Sequence, residues 1–187
     1  VGQHPKSLGM VTAPTFPMLR DATLKTIREV WPEGFYTLNE AKMTLTCNNG
    51  SEVLLRSTDD PDHLRGPNLA WVWMDEAAQS DVEAFKILQG RLRQAGFPHQ
   101  LWFTTTPRGF NWVYQEFVVE AQKGKREGYK LYTWSTRTNP YLPPNFVHSL
   151  ETSYDSIMAL QEIEGRFVPI GNRPYFDIAS CQALIPD

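Results

Sequence analysis

The sequence predicts an α/β fold in which helices flank a mostly parallel central sheet. Short apolar runs typical of buried strands alternate with segments whose apolar residues recur at helical spacing, and this alternation is the pattern of a parallel sheet. An Asn-Gly pair between two β-prone runs adds one predicted hairpin. With 187 residues, of which 41% are hydrophobic, the chain is long enough to bury one substantial core.

The first part of the chain supplies a strand, a helix and the hairpin. Residues 8–12 form the first predicted strand, which a following Ala-Pro pair ends because proline cannot donate to a sheet. Residues 17–30 are predicted to form a helix that stops before Pro32, and residues 43–47 and 53–55 are the two hairpin strands. The apolar residues at helical spacing are Leu19, Ala22, Leu24, Ile27 and Val30.

The second part continues the alternation. Residues 69–74 are apolar at every position, as expected of a central strand covered on both faces. A helix capped by Asp81 and a second apolar strand at residues 101–103 follow. The remaining predicted elements are a helix at 112–121, a strand at 130–134, and helices at 146–154 and 156–164. The proline- and glycine-containing end, residues 168–187, is predicted to be a linker.

Composition excludes several classes of protein. The apolar runs are far shorter than the roughly 18 residues of a membrane span. Cys47 and Cys181 lie far apart without a metal-ligand pattern, so we expect neither a disulfide framework nor a zinc site, and a reducing compartment fits best. The residues that follow Val1 predict no signal peptide. Because the net charge is −3, any DNA contacts must come from a local basic patch or from an oligomeric ring.

Two adjacent carboxylates, Asp75 and Glu76, directly follow the apolar run 69–74. Ligands of open α/β sheets bind at the carboxyl ends of the strands, so this pair is expected in the binding crevice, in the form of a Walker B motif. In nucleotide hydrolases one carboxylate holds the Mg²⁺ shell and its neighbour orients or deprotonates the attacking water. Asp75 suits the first role and Glu76 the second. Alternatively, the pair only caps the helix that follows.

Three threonines, Thr104, Thr105 and Thr106, end the next apolar strand. If the two strands are neighbours, these hydroxyls lie beside the carboxylates and could sense the γ-phosphate of a nucleotide. The alternative is that β-branched residues simply complete a strand that Pro107 terminates.

Several segments resemble phage terminase large subunits. Residues 68–78 read NLAWVWMDEAA and residues 101–109 read LWFTTTPRG. Residues 11–21 resemble the segment that follows the P-loop helix in this family, and residues 138–140 resemble a later loop. The blocks occur in the family's order and cover most of the chain. The resemblance implies a P-loop NTPase fold of the RecA/ASCE type, incomplete at its N-terminus, with a β-hairpin insertion.

The resemblance also implies a function: the ATPase motor of a viral packaging machine that moves double-stranded DNA into a procapsid. ATP and Mg²⁺ would be the substrate and cofactor. Asp75 would coordinate Mg²⁺, Glu76 would be the catalytic base, and Thr104, Thr105 and Thr106 would couple hydrolysis to DNA movement. The implied partners are DNA, a portal protein, the small terminase subunit and further copies of the chain in a ring on the procapsid, in the host cytoplasm. Residues 1–140 would be the ATPase core, and residues 141–187 a helical segment and linker toward a nuclease domain.

Arg65 lies shortly before the Walker B strand. The resemblance suggests that it is an arginine finger reaching the nucleotide of a neighbouring subunit, where a guanidinium would stabilise transition-state charge. Because Asp59, Asp60 and Asp62 are close in sequence, a surface ion pair is the alternative.

The phosphate-binding loop of the family is missing from these residues. A Walker A motif, Gly-x-x-x-x-Gly-Lys-Ser/Thr, provides backbone N–H groups that cradle phosphates at a helix start. No segment satisfies it, and the nearest imitation, residues 2–7, has Pro5 in place of a glycine and precedes a strand. We therefore expect residues 2–7 to form an ordinary loop, the P-loop to lie upstream of Val1, and this chain alone to bind ATP poorly or not at all.

Three other functions stay open at this point. A superfamily 2 helicase also places an acidic pair and small hydroxyl residues on neighbouring strands, but it needs a second motor domain. A metal-dependent nuclease would use Asp75, Glu76 and either Asp59 or Asp60 to hold two cations. A non-catalytic ATPase-like scaffold would explain the missing P-loop without an upstream segment.

Overall fold

The computed structural model describes residue 2 and residues 4–124, 127–143 and 145–169. The chain divides into two compact units, residues 1–106 and residues 107–187. Most of the predicted linker, from residue 170 onward, lies outside the described residues. The division of the chain into an ATPase core before residue 141 and a helical segment after it remains a prediction.

The first unit is built on a six-stranded sheet. Across the sheet the order is β2 (Tyr36–Asn39), β3 (Thr44–Cys47), β4 (Glu52–Ser57), β1 (Leu8–Ala13), β5 (Trp71–Met74) and β6 (Gln100–Phe103). Strands β4, β1, β5 and β6 run parallel, whereas β2, β3 and β4 are joined antiparallel. The predicted mostly parallel sheet with one hairpin excursion is therefore confirmed, and β2 extends that excursion by one strand.

A helical segment at residues 16–30 covers one face of this sheet. It consists of α1 (Phe16–Met18), a π-helical turn (Leu19–Thr23) and α2 (Leu24–Val30). Its buried apolar residues pack with Val11 and Ala13 of β1 in the core, and burying each such side chain stabilises the fold by about 1.5–3 kcal/mol. These residues are Leu19, Leu24 and Ile27.

The predicted helix is present, but its buried face differs from the prediction. Val30 is 72% exposed and Ala22 is also exposed, whereas Thr23 is buried. The wider π turn contains one residue more per hydrogen-bonded ring than an α-helical turn. Apolar spacing counted for a regular helix therefore misplaces the inward-facing residues.

Helix α3 (Val82–Arg91) connects β5 to β6. The Asp81 side chain accepts a 2.7 Å hydrogen bond from the Glu83 N–H, which confirms the predicted N-cap. At the other end, the Leu69 N–H donates to the Arg91 carbonyl at 2.8 Å and so ties the helix to the approach of β5. The buried residues of α3 are Ala84, Phe85, Ile87 and Leu88.

The second unit is helical in the part that the structure describes. Its elements are α4 (Trp112–Tyr114), a π-helical turn (Gln115–Val119), α5 (Glu120–Gln122), a 3-10 turn (Thr136–Thr138), α6 (Phe146–Ser153) and α7 (Ser156–Glu162). Arg137 pairs with Glu164 at 2.6 Å and with Glu151, joining the 3-10 turn to α6 and to the end of α7. Over the described ranges, every helix is too short or too polar to cross a bilayer.

The predicted strand at residues 130–134 is wrong. This segment belongs to no sheet, and three of its side chains are largely exposed: Leu131 at 43%, Tyr132 at 65% and Trp134 at 72%. A strand needs a partner whose backbone groups complete its hydrogen bonds. No other segment described in the second unit is a strand, so the β-prone sequence remains unpaired.

Candidate functional site

The ends of two neighbouring parallel strands bring the predicted site residues together. Asp75 directly follows β5, and its N–H donates to the Thr12 carbonyl of β1 at 2.8 Å. Met74 of β5 lies opposite Phe103 of β6, so Thr104 follows its strand at the same level as Asp75. The Thr104 N–H donates to the Met74 carbonyl at 3.0 Å and continues the pairing. The expected closeness of the carboxylate pair and the threonines is therefore present.

Both carboxylate oxygens of Asp75 accept a hydrogen bond from a threonine hydroxyl. Thr104 Oγ1 donates to Asp75 Oδ1 at 2.8 Å, and Thr23 Oγ1 donates to Asp75 Oδ2 at 2.7 Å. Thr104 Oγ1 in turn accepts a hydrogen bond from Trp73 Nε1 at 3.0 Å. We call Thr23, Trp73, Asp75 and Thr104 the Asp75 cluster. Hydroxyl donors from the helical segment and from the end of β6 thus fix the orientation of one carboxylate, and Trp73 of β5 in turn orients the Thr104 hydroxyl.

Glu76 has a left-handed backbone conformation, with φ 50° and ψ 43°. For a residue with a Cβ this conformation costs about 1–2 kcal/mol, so the surrounding structure must impose it. One such constraint is the next residue, because the Ala77 N–H donates to the Thr104 carbonyl at 3.1 Å. The half-buried Glu76 side chain accepts a 3.4 Å hydrogen bond from Gln79 Nε2. Strained residues of this kind cluster at functional sites.

Thr105 and Thr106 extend the contact between the two strand ends. Thr105 Oγ1 accepts a hydrogen bond from the Ala78 N–H at 3.0 Å and donates to the Thr106 carbonyl at 3.1 Å. Together with the Ala77 N–H bond to the Thr104 carbonyl, this links the end of β6 to the 3-10 turn Ala77–Gln79. A displacement of either strand end would therefore be transmitted to the other.

Arg65 has contacts of a different kind. It follows the 3-10 turn Pro61–Leu64, and its side chain is 52% exposed. Its guanidinium donates to Asp62 at 2.6 Å and to Glu83 at 3.3 Å, and the hydrogen bond to Asp62 raises the pKa of Arg65. The hydrogen bonds of Arg65 are thus to surface carboxylates and not to the Asp75 cluster. It lines a cavity of about 450 Å³ beside α3.

The segment before β1 lies at the opposite end of the sheet. Because β1 and β5 are parallel, Ser7 precedes the strand end that is remote from Asp75. The Ser7 hydroxyl donates to Ser51 Oγ at 3.2 Å, and Ser7 is fully buried. Residues 4–7 form no helix or strand, as expected of the loop that the sequence predicts.

The oxygen atoms available as metal ligands at Asp75 fit a Mg²⁺ ion. Mg²⁺ is usually held by one or two carboxylates, several waters and substrate phosphates rather than by a full protein cage. Asp75 offers a carboxylate whose orientation is fixed, with threonine hydroxyls beside it. Within the described ranges, no group of three or more His, Cys, Asp or Glu side chains is placed to hold a metal. The carboxylate cluster that a two-metal nuclease requires is therefore not found there.

Sequence reasoning missed two members of the Asp75 cluster, Thr23 and Trp73. A signal for Thr23 existed, since it lies four residues after Leu19 and four before Ile27, on the arc of the helix that those residues bury. The sequence pattern identifies Trp73 only as part of an apolar strand. Its indole N–H is a donor that finds an acceptor only on the neighbouring strand, which sequence alone does not reveal.

Known proteins resemble this chain over most of its length. A family model described as phage terminase large subunit matches residues 24–164. The PBSX phage terminase large subunit of Bacillus subtilis (strain 168) is 29% identical over 198 residues, which cover 92% of this chain but only 46% of that protein. The chain thus spans about half the length of this curated relative.

Solved structures share the fold. The large terminase of a thermophilic bacteriophage superposes with a TM-score of 0.74 at 18% identity, over 89% of this chain and 42% of that one. Structures of the same terminase in complex with ADP and with ATP-gamma-S superpose with TM-scores of 0.72 and 0.71. The large terminase ATPase domain of Thermus phage P74-26 superposes with a TM-score of 0.54 at 23% identity, over 89% of this chain and 78% of that one.

These likenesses agree with the mostly parallel sheet and its flanking helices. The match to the family model extends from the start of α2 past the end of α7, which is more than half of the 187 residues. This chain therefore belongs to the phage terminase large subunit family.

Proposed function

We propose that this chain forms part of the ATPase motor of a terminase large subunit, which uses ATP hydrolysis to move double-stranded DNA into a procapsid. The observation that carries the proposal is the hydrogen bond between Thr104 and Asp75, which joins the carboxylate and threonine strand ends at one edge of the sheet. Family membership supports the same function. The DNA, portal protein, small subunit, ring of identical subunits and host cytoplasm implied by the sequence resemblance belong to this proposal.

Asp75 is the proposed magnesium ligand. When bound, Mg²⁺ would neutralise charge on the nucleotide phosphates and help to orient them. Thr23 and Thr104 each donate one hydrogen bond to Asp75, which leaves further lone pairs on both carboxylate oxygens for the metal or its waters. The chain's role at this point is to hold a correctly oriented negative charge at the end of β5.

Glu76 is the proposed catalytic base. It is the next residue after the proposed metal ligand. Its left-handed backbone turns the chain sharply at this point, so Glu76 does not continue the extended backbone of β5. A half-buried carboxylate beside the metal ligand is suited to accept a proton from an attacking water. The strain at this residue supports a functional reason for keeping glutamate where glycine would fit more easily.

Thr104, Thr105 and Thr106 are the proposed coupling residues. Thr104 contacts Asp75 through its hydroxyl and Ala77 through its carbonyl, while Thr105 contacts Ala78. A change in the position of Asp75 on hydrolysis would therefore displace the threonines at the end of β6. Transmission of that shift along the chain after β6 would link hydrolysis to DNA movement.

Arg65 is the proposed arginine finger. Its guanidinium is half exposed, and its partners Asp62 and Glu83 are surface carboxylates, so exchange for a phosphate on a neighbouring subunit requires little desolvation. The surface ion pair is the alternative role, and it predicts that Arg65 has no effect on hydrolysis.

Hydrolysis also requires a phosphate-binding loop, and the 187 residues contain no Walker A motif that could form one. We propose that the coding sequence upstream of Val1 supplies it. The test is ATP hydrolysis by the protein with this upstream sequence, compared with its Glu76→Gln and Asp75→Asn variants. Glu76→Gln should retain nucleotide binding but reduce kcat by about 10²–10⁴, the usual contribution of a general base.

The alternatives give different results in the same experiment. A non-catalytic scaffold would have no hydrolysis in any form and no glycine-rich lysine loop upstream. A superfamily 2 helicase would hydrolyse ATP, but it would unwind a duplex and would have a second motor domain in its gene. Unchanged hydrolysis after Glu76→Gln would remove Glu76 from the mechanism.

A further inference from the structure

Thr23 is the one member of the Asp75 cluster that comes from the helical segment 16–30. It ends the π-helical turn, and its hydroxyl donates to Asp75 Oδ2 at 2.7 Å. These two residues are 52 positions apart in sequence. The contact therefore depends on how the helical segment packs on the sheet, and not on local chain geometry.

Packing holds Thr23 firmly in this position. The residue is only 1% exposed, and its neighbours Leu19, Leu24 and Ile27 belong to the same core as Val11 and Ala13 of β1. A threonine hydroxyl within a helix commonly donates to a carbonyl one turn earlier. Here the hydroxyl donates across to a strand end instead, and the π turn is the local departure from helical geometry that accompanies it. Such π turns are frequent at functional sites.

Each donor of the Asp75 cluster, namely the two threonine hydroxyls and the Trp73 N–H, is already used in one hydrogen bond. A threonine hydroxyl has one hydrogen to donate. Thr104 gives its hydrogen to Asp75 Oδ1 while accepting from Trp73, and Thr23 gives its hydrogen to Asp75 Oδ2. If Thr23 were lost, Oδ2 would lose this donor, and only the Thr104 hydroxyl of the cluster would orient the carboxylate.

We propose that Thr23 is a positioning residue for the Asp75 carboxylate, so that the helical segment 16–30 forms part of the magnesium site. The proposal rests on the function proposed above, because it assigns Asp75 to the metal. Thr23 acts through Asp75: its hydroxyl fixes the direction in which the remaining lone pairs of Oδ2 point. Partners that orient a metal ligand typically contribute about 10-fold to 100-fold to metal affinity.

The test measures metal binding without turnover. Mn²⁺ replaces Mg²⁺, and the electron paramagnetic resonance signal of free Mn²⁺ is followed during titration of the full-length protein, including its upstream coding sequence, with ATP-gamma-S present. The Mn²⁺ that the nucleotide binds without protein is measured separately and subtracted. Thr23→Val keeps the shape of the side chain but removes the hydroxyl, and it should weaken Mn²⁺ binding by about 10-fold to 100-fold. Thr23→Ser keeps the hydroxyl and should bind Mn²⁺ nearly as the unaltered protein does.

Thr26→Val is the matched control, since Thr26 is an exposed threonine of the same helix. It should leave Mn²⁺ binding unchanged. Because valine at a buried position could impair folding, circular dichroism is recorded for each variant, and Thr23→Cys, which retains a small side chain with a weak donor, serves as a second substitution. It should bind Mn²⁺ more weakly than Thr23→Ser.

The outcomes separate the two proposals. If the unaltered protein binds Mn²⁺ and the folded Thr23→Val and Thr23→Cys variants bind it equally well, Thr23 has no positioning role while the proposed function stands. If the unaltered protein binds no Mn²⁺ with the nucleotide, the magnesium site at Asp75 is wrong and both proposals fall.

Discussion

Thr104 Oγ1 lies 2.8 Å from Asp75 Oδ1 and joins the ends of two parallel strands that are 29 residues apart in sequence. The same hydroxyl accepts a hydrogen bond from Trp73 Nε1. Because a hydroxyl both donates and accepts, it satisfies a carboxylate and an indole at once, which neither valine nor alanine can do.

Thr104→Val should therefore lower both stability and turnover. Valine has the same shape but leaves the Trp73 N–H and Asp75 Oδ1 without this partner, so we expect a loss of about 1 kcal/mol in the free energy of unfolding, measured in urea. Thr104→Ser keeps the hydroxyl and should retain most of the free energy of unfolding of the unaltered protein. Thr37→Val in β2, at an exposed strand position, is the control and should cost less. Equal losses at residues 37 and 104 would show that the hydroxyl of Thr104 contributes nothing specific.

The backbone of Glu76 allows a prediction about two substitutions at one site. Glu76→Gly and Glu76→Ala both remove the carboxylate, and both should reduce ATP hydrolysis by about 10²–10⁴. They should differ in stability, because glycine accepts a φ of 50° without strain whereas alanine does not. We expect the glycine variant to be more stable by about 1 kcal/mol in urea unfolding.

The same pair of substitutions at Glu29 provides the control. Glu29 is an exposed residue of α2, where a regular helix makes alanine more stable than glycine by about 1 kcal/mol. The order of the two variants should therefore reverse between residues 29 and 76. The same order at both positions would contradict the left-handed conformation of Glu76.

Arg65 should matter to hydrolysis but not to folding. Its side chain is half exposed and pairs with surface carboxylates, so Arg65→Ala should leave the urea midpoint unchanged. If Arg65 reaches the nucleotide of a neighbouring subunit, the variant should lose about 10³–10⁵ in kcat. Mixing Arg65→Ala with Glu76→Ala subunits should then recover part of the hydrolysis. No recovery in a mixture that is shown to assemble would favour the ion-pair role.

The mostly parallel sheet, the hairpin and the position of Asp75 could be predicted because each depends on a local pattern. The run 69–74 is apolar at every position, the Asn-Gly pair fixes the hairpin, and a strand that ends in acidic residues places them at its carboxyl end. The closeness of Thr104 to Asp75 followed from one further step, that successive parallel strands are often neighbours.

The contacts of Thr23 and the absence of the predicted strand at residues 130–134 both depend on packing between distant segments. Regular spacing from Leu19 places both Ala22 and Thr23 near the inner face of the helix and hydrophobicity favours Ala22, whereas the structure, with its π turn, buries Thr23 and exposes Ala22. Residues 130–134 have strand-forming side chains, but strand formation requires a partner backbone that propensity alone cannot supply. The signal was present in both segments, and the missing information was tertiary.

Gly9 should tolerate no side chain, because the Trp71 ring lies directly over it. A Cβ at Gly9 would stand 2.0 Å from Trp71 Cε2, far inside contact distance. Gly9→Ala should therefore lower the free energy of unfolding by about 1–3 kcal/mol, the usual cost of overpacking a core. Trp71→Leu, which removes the ring, should relieve most of this penalty in the double variant.

Gly90 supplies a control of opposite sign. It lies on the exposed side of α3, and a Cβ there would meet nothing within 4 Å. Gly90→Ala should raise the free energy of unfolding by about 0.5–1 kcal/mol, because alanine favours a helix. If Gly9→Ala were also stabilising, the close approach of Trp71 to β1 would be wrong.

Glu164 should make the second unit sensitive to acid. The hydrogen bond from Arg137 holds the pKa of Glu164 below its ordinary value of 4.5. A carboxyl group whose pKa is lower in the folded state stabilises the fold above the unfolded pKa, and that contribution is lost as the pH falls through the folded pKa. Glu164→Gln should therefore lower the Tm near neutral pH, and the difference from the unaltered protein should shrink as the pH falls below 4.5.

Arg137→Met tests the cause of this pH dependence. The arginine also pairs with Glu151, so its loss lowers the Tm by itself, but the substitution should also remove most of the pH-dependent difference between glutamate and glutamine at residue 164, because Arg137 is the main cause of the lowered pKa. The measurement is Tm by circular dichroism for the four combinations at a series of pH values from neutral to acidic. If the Glu164→Gln substitution changed the Tm by the same pH-dependent amount in the Arg137→Met background, another group, and not the guanidinium, would lower the pKa of Glu164.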